Sequence, residues 1–173
     1  FFCDYSGNWQ ILSNHVVDEI KSNKIEIIIK FGMSLLKVND NISNIPIFSF
    51  HHGNPEKYRG RPAGFYELLN NEKKIGLIVQ RISNKLDSGD VYAFAESKLE
   101  HHSYKKSAIN FYSVSKYLLR KAIINYTKNQ KVSINTNGKN YKLPSNSLVL
   151  YFFCILFFRK IKRLLYGIFF EKK

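Results

Sequence analysis

At 173 residues, with 45% hydrophobic and 15% aromatic side chains, the chain can bury a real core in one domain, and a disordered polyelectrolyte is excluded. The net charge of +14 invites a nucleic-acid partner, yet the lysines are dispersed among asparagines and isoleucines as a compositional bias would scatter them, and phosphate in a smaller substrate is also compatible. Cys3 and Cys154 lie near opposite ends in no metal-binding spacing, so neither a disulfide framework nor a zinc site is suggested and a reducing cytoplasm is the default.

The chain opens at Phe1 with no signal-peptide pattern before the first helix, and it is read as a fragment of a longer protein. From Ser13, SNHVVDEIKS predicts a helix capped by Ser13 or Asn14, with Val16, Val17 and Ile20 on one face. The β-branched run from Ile25 to Phe31 predicts a strand covered on both sides. After Gly32 and MSLLK, a second strand over Ile45 to Phe48 leads to His51 and His52, and Gly53, Pro55, Gly60 and Pro62 keep the chain turning. Pro62 suits the first turn of a helix over AGFYELLNNE. A third strand runs from Ile75 to Ile82, then come the turn SNKLDSGD and the alternating segment VYAFAES. Ser103 to Asn129 carries apolar residues at helical spacing and should cover the sheet, its aromatic stripe packing as core.

Beyond Thr127 the pattern changes. Residues 130–147 read as a polar linker with a short hairpin at Asn137 and Gly138. Residues 148–173 form an apolar and basic tail whose unbroken run, Leu148 to Phe158, is shorter than the roughly 20 residues of a membrane span. Two readings stay open: an amphipathic helix on an anionic membrane surface, giving peripheral association, or a connector packed on a further domain.

Site chemistry concentrates where the second strand ends. A strand-end histidine lies where ligands bind in open α/β sheets, and its proton exchanges near neutral pH. Asp87, on the turn LDSGD, is the candidate carboxylate that would orient His51 or set its protonation state; the alternative is that it stabilises its own turn. Tyr58, Arg59 and Arg61 could hold an anionic acceptor, or the arginines could tie down a loop through carbonyls. The pairs His51–His52 and His101–His102 are not expected to bind a metal, because neighbours on a strand point to opposite faces.

The combination HHGNPEKYRGRPAGFYELLNNEKKIGLIVQRISNKLDSGDV resembles the catalytic half of the formyltransferase family, which includes methionyl-tRNA, glycinamide ribonucleotide and sugar-nucleotide formyltransferases. The matches are His51, the run Tyr58, Arg59 and Gly60, a strand opening at Gly76, and Leu86, Asp87 and Gly89; the likeness covers roughly Ile20 to Glu100. It implies an α/β, Rossmann-like fold with a mostly parallel sheet and flanking helices, truncated at the start, with residues 1–129 as a partial catalytic domain. It also implies transfer of a formyl group from 10-formyltetrahydrofolate to a primary amine, on an amino-sugar nucleotide or on methionyl-tRNA. Met33, Ser34, Leu35 and Leu36 would then line the folate site with the loop Asn84, Lys85, Leu86 and Asp87. His51 would stabilise the oxyanion, with Asp87 as its partner. Ser49 stands two before His51 where the family pattern has asparagine, and so offers a shorter oxyanion donor. The alternatives are a formyltetrahydrofolate hydrolase on the same fold and a catalytically decayed binding module.

Overall fold

The computed structural model describes residues 3–32, 35–38, 40–84 and 89–170. In chain order the elements are β1 (Cys3–Ser6), β2 (Trp9–Leu12), α1 (Asn14–Ser22), β3 (Ile28–Lys30), β4 (Leu35–Lys37), a 3-10 turn (Asp40–Ile42), β5 (Ile47–His52) and β6 (Tyr58–Gly60). They continue with α2 (Phe65–Leu69), β7 (Lys74–Arg81), β8 (Asp90–Lys98), α3 (Tyr104–Thr127), β9 (Lys139–Tyr141) and α4 (Asn146–Phe170). The chain divides into two compact units: Phe1–His51, Ile78–Phe94 and Leu118–Thr136 form the first, and His52–Leu77, Ala95–Tyr117 and Asn137–Lys173 the second.

The first unit contains a three-stranded sheet in the order β1-β2-β4. β1 and β2 are antiparallel through a turn at Gly7, where φ is +60°, and β4 adds in parallel with Leu35 opposite Trp9. In the other main sheet the strands run β3-β5-β7-β8, with Ile28 of β3 opposite Ile47 of β5 in parallel. Val17 of α1, Ile42 and Ile47 are buried together, and Leu12, Ile20, Ile28 and Leu36 pack on them. On the opposite face of β5, Phe48 meets Tyr92 and Tyr126 edge-on, at 5.8 and 5.4 Å between ring centroids. Such edge-to-face pairs add to the burial of the rings themselves.

In the second unit α2 packs against α4 through Phe65 and Phe152, whose centroids are 4.3 Å apart. The N-terminal part of α3 contributes Phe111, which is fully buried. The Ser103 hydroxyl caps α3 by accepting from the Lys106 amide at 3.2 Å.

The α/β class and the mostly parallel pairing agree with the sequence reading, and the sheets are mixed rather than purely parallel. The pairs β2/β4, β3/β5 and β6/β9 are parallel, while β1/β2 is antiparallel. The strand expected over Ile25 to Phe31 shortens to Ile28–Lys30, because the Ile25 amide turns back to the Ile20 carbonyl and Lys24 takes φ +52° to end α1. Residues 130–147 are not only a linker. Instead of a hairpin at Asn137 and Gly138, β9 lies parallel to β6, with the Gly138 amide donating to the Pro55 carbonyl at 2.9 Å and the Lys139 amide to that of Lys57 at 3.1 Å. Glycine is required there: a Cβ on Gly138 would stand 2.6 Å from the Pro55 oxygen. The apolar and basic tail is one helix, α4, of 25 residues.

Candidate functional site

The first unit presents Ser49 and His51 on one face of β5. The two-residue period puts Ile47, Ser49 and His51 on one side of the strand and Phe48, Phe50 and His52 on the other. Ile47 anchors its face in the α1 cluster, which fixes the direction of the whole face. His51 is only 8% exposed, and Ser49 is half-buried. The Ser49 hydroxyl has the Phe50 carbonyl oxygen at 3.4 Å, a length at which an O–H bond is weak, so it can turn toward another acceptor.

Among the described residues, the Asn84 side chain joins the loop after β7 to Val38, the residue that follows β4. Asn84 Oδ1 accepts from the Val38 amide at 2.7 Å, and its Nδ2 donates to the Val38 carbonyl at 3.2 Å. Asn84 therefore closes the end of β4 against the loop after β7. Just before that loop, the Arg81 guanidinium donates to the Ser43 carbonyl at 2.8 Å and the Ile82 amide to the Ile47 carbonyl at 2.8 Å. Leu36 faces the α1 core, so Leu35, next to it on the strand, takes the opposite face. Among the described residues β4 is an edge strand, with one row of backbone donors and acceptors unpaired by sheet. Met33, Ser34, Lys85, Leu86 and Asp87 lie outside the described residues.

In the second unit His52 has a different task from His51. The Ser115 hydroxyl donates to the Phe111 carbonyl at 3.0 Å, so it is the His52 Nε2–H that donates to Ser115 Oγ at 2.8 Å. The imidazole sits against the rings of Phe111 and Tyr112, 5.5 and 5.0 Å away. This is a packing histidine, and the helical serine that receives it is the signal that sequence reading passed over.

Tyr58, Arg59 and Arg61 are adjacent on β6 and the turn after it, but their side chains are committed differently. The Tyr58 hydroxyl is buried, accepts from Asn70 Nδ2 at 3.0 Å and donates to Glu72 at 3.2 Å. Burial, opposed by the Asn70 bond and aided by the Glu72 charge, pushes its pKa up to about 12. Arg59 Nε donates to the Gly138 carbonyl at 2.7 Å, which ties β6 to β9. Arg61 is exposed.

A carboxyl not singled out in the sequence lies behind this loop. Glu67 of α2 is 3% exposed and borders a cleft of about 410 Å³ that also touches Tyr58, Glu72 and Lys74. Burial raises its pKa to about 7, against the opposing hydrogen bonds from its own amide and that of Gly64. Its place between Phe65 and Leu68 on the inward face of α2 was the available clue. His101 and His102 sit beside α4, where the Arg163 guanidinium reaches the His102 ring and Glu100 lies 3.8 Å from it. Burial, with Arg159 and Arg163 respectively, lowers both imidazole pKa values. Among the described residues no group of three or more His, Cys, Asp or Glu side chains could hold a metal ion.

Comparison with known proteins gives no match to any family model. Over 57 residues the chain is 35% identical to methionyl-tRNA formyltransferase of Lactobacillus acidophilus, covering 33% of this chain and 18% of that protein. Among solved structures, HypX from Aquifex aeolicus superposes over 78% of this chain and 25% of its own with a TM-score of 0.63 at 17% identity. Formyltetrahydrofolate deformylase from Pseudomonas putida superposes over 66% of this chain and 42% of its own, with a TM-score of 0.54 at 17% identity. Phosphoribosylglycinamide formyltransferase from Bacillus halodurans does so over 65% and 59%, with a TM-score of 0.52 at 16% identity. The chain thus spans less than two thirds of the length of each of these proteins. The fold of this chain is the α/β fold of these three structures, and the likeness read from its motifs fits the formyltransferase family.

Proposed function

We propose that this chain carries the catalytic half of a folate-dependent formyltransferase, moving a formyl group from 10-formyltetrahydrofolate to a primary amine. The observation that supports it most is the pairing of a buried strand-end histidine, His51, with a hydroxyl donor, Ser49, on one face of β5. In the same unit Asn84 clasps Val38 and joins the two segments that the resemblance assigns to folate.

The residues fit a flat heterocycle. Leu35 supplies an apolar wall, and the free edge of β4 offers alternating backbone donors and acceptors, as a ring with several polar edge atoms needs. Val38 contributes none of these, since Asn84 engages both of its backbone groups. A bound 10-formyltetrahydrofolate supplies the formyl group. His51 donates a hydrogen bond to the formyl oxygen as negative charge grows there during attack by the amine, and the Ser49 hydroxyl turns to add a second donor. In the role that the resemblance gives it, Asp87 would orient His51, accept the proton that the attacking amine must lose and return it to the leaving nitrogen. The net charge of +14 suits a phosphate-bearing acceptor such as an amino-sugar nucleotide; methionyl-tRNA is the less favoured acceptor.

Hydrolysis of the same donor is a second reading, favoured by Ser49 in place of the expected asparagine. Titration of the full-length protein with a stable 10-formyltetrahydrofolate analogue tests the folate site, and product analysis separates the reactions. Formylated amine supports transfer, whereas free formate independent of added amine supports hydrolysis. A folded protein that ignores the analogue overturns both readings.

A further inference from the structure

The inner face of α4 is pinned. Phe152 and Leu156 are buried, Phe152 packs on Phe65 at 4.3 Å and on Tyr104 at 6.0 Å, and Arg159 donates to the Leu68 carbonyl at 2.9 Å. Residues 152, 156, 159 and 163 recur at helical spacing, so this seam fixes the rotation of the helix about its axis. The opposite arc must therefore point outward, and it is apolar along most of the helix. Leu150, Phe157, Phe158, Leu164, Leu165 and Ile168 are exposed, Leu150 at 68% and Phe158 at 67%.

The charges on α4 are placed with equal order. At 100° per residue Lys160 and Lys162 fall on opposite borders of the outward arc, between it and the pinned seam, and both are exposed. Arg159 and Arg163 turn inward, to Leu68 and His102. An apolar arc bordered on each side by a lysine matches a helix lying in the plane of a bilayer interface, where the long stems bury against acyl chains and the ammonium groups rise to anionic headgroups. Among the described residues no helix is long and apolar enough to cross a membrane. A second copy of α4 fits less well, because the arc is wider than the narrow seam of a paired helix and self-pairing would bring like-charged borders together.

We propose that the outward face of α4 docks on an anionic lipid surface, with Leu150, Phe157, Phe158, Leu164, Leu165 and Ile168 entering the interface and Lys160 and Lys162 contacting headgroups.

The test is co-sedimentation of the full chain with vesicles of phosphatidylcholine alone and of phosphatidylcholine mixed with phosphatidylserine. Binding is expected to the mixed vesicles and to weaken with salt. The double variant Lys160→Glu/Lys162→Glu should bind at least 25-fold more weakly, about fivefold for each lysine, the ratio that corresponds to about 1 kcal/mol per basic residue at such a surface. Lys21→Glu/Lys128→Glu, which changes net charge equally, should bind within about threefold of the parent if α4 and not total charge is responsible. A polarity-sensitive fluorophore on Cys154, which is exposed on the same arc, should shift to the blue on mixed vesicles in a Cys3→Ser background. Circular dichroism checks that each variant is folded. Folded protein that ignores the vesicles overturns the proposal. So does equal loss in the two charge variants, and so does a concentration-dependent dimer that Phe158→Glu dissociates without any vesicle binding by the parent.

Discussion

Asn84 holds both backbone groups of Val38, its amide oxygen 2.7 Å from the Val38 nitrogen and its amide nitrogen 3.2 Å from the Val38 oxygen, across 46 residues of sequence. An amide side chain carries its acceptor and its donor on neighbouring atoms, which suits the two backbone groups of one residue. Asn84→Asp keeps the size and loses the donor, and Asn84→Ala loses both bonds. Calorimetric titration with the folate analogue should show binding about fivefold weaker in the first and about thirtyfold weaker in the second, in line with roughly 1 kcal/mol per lost bond. Unchanged affinity in Asn84→Ala would detach this clasp from the folate site.

His51 and His52 should separate cleanly. His51→Ala is expected to abolish single-turnover transfer in the full-length protein, Asp87→Asn to cut it severely, and Ser49→Asn to leave it equal or faster, because an amide reaches further than a hydroxyl. Loss of an oxyanion donor costs on the order of a hundredfold or more. An active His51→Ala variant would sink the mechanism.

His52→Ala, by contrast, removes the bond to Ser115 and a ring packed on Phe111 and Tyr112. It should lower unfolding free energy by about 2–4 kcal/mol, the sum of a cavity and the lost His52–Ser115 hydrogen bond. Denaturant titration measures this, and a midpoint equal to that of the parent would contradict the packing role.

Glu67 makes stability depend on pH in a defined direction. Its carboxyl ionises near the ordinary glutamate value of 4.5 in the unfolded chain and at about 7 in the folded protein. Between those values the folded state holds the proton more tightly, so this contribution is fully present below about pH 4.5, falls as pH rises and is lost above about pH 7. The total change is on the order of 3 kcal/mol. Glu67→Gln should flatten the slope and leave the protein more stable than the parent at pH 8, read from denaturant midpoints across the range. A slope that survives the substitution would assign it to other groups.

Gly60 stands at φ +89°, and a Cβ there would collide with the Tyr141 carbonyl oxygen of β9 and come within 2.8 Å of Asn140. Gly60→Ala should therefore part β6 from β9 and expose residues 130–145 to protease, at a cost of about 2 kcal/mol or more from strain and lost ladder bonds. Limited proteolysis with unchanged cleavage of that segment would show that the pairing is dispensable.

Most of the local architecture was legible in the sequence because it rests on short-range pattern. The apolar run before His51, the apolar face of the helix that follows Ser13 and the helical spacing after Ser103 each specify an element through residues close in the chain, although the Ser13 side chain makes no capping hydrogen bond. The order of the chemical groups that carry the resemblance, from His51 through Tyr58, Arg59 and Gly60 to Leu86, Asp87 and Gly89, belongs to the sequence itself. The tertiary structure decided what depends on distant partners: that Val38 is the counterpart of Asn84, that His52 faces Ser115 while its neighbour His51 takes the other face, and that β9 pairs with β6 instead of folding back as a hairpin. It also decided which side of α4 is covered. A sequence of phenylalanines and leucines separated by a few basic residues gives no direction to a helix, whereas Phe152 against Phe65 and Arg159 on Leu68 set its rotation and leave one apolar arc turned outward.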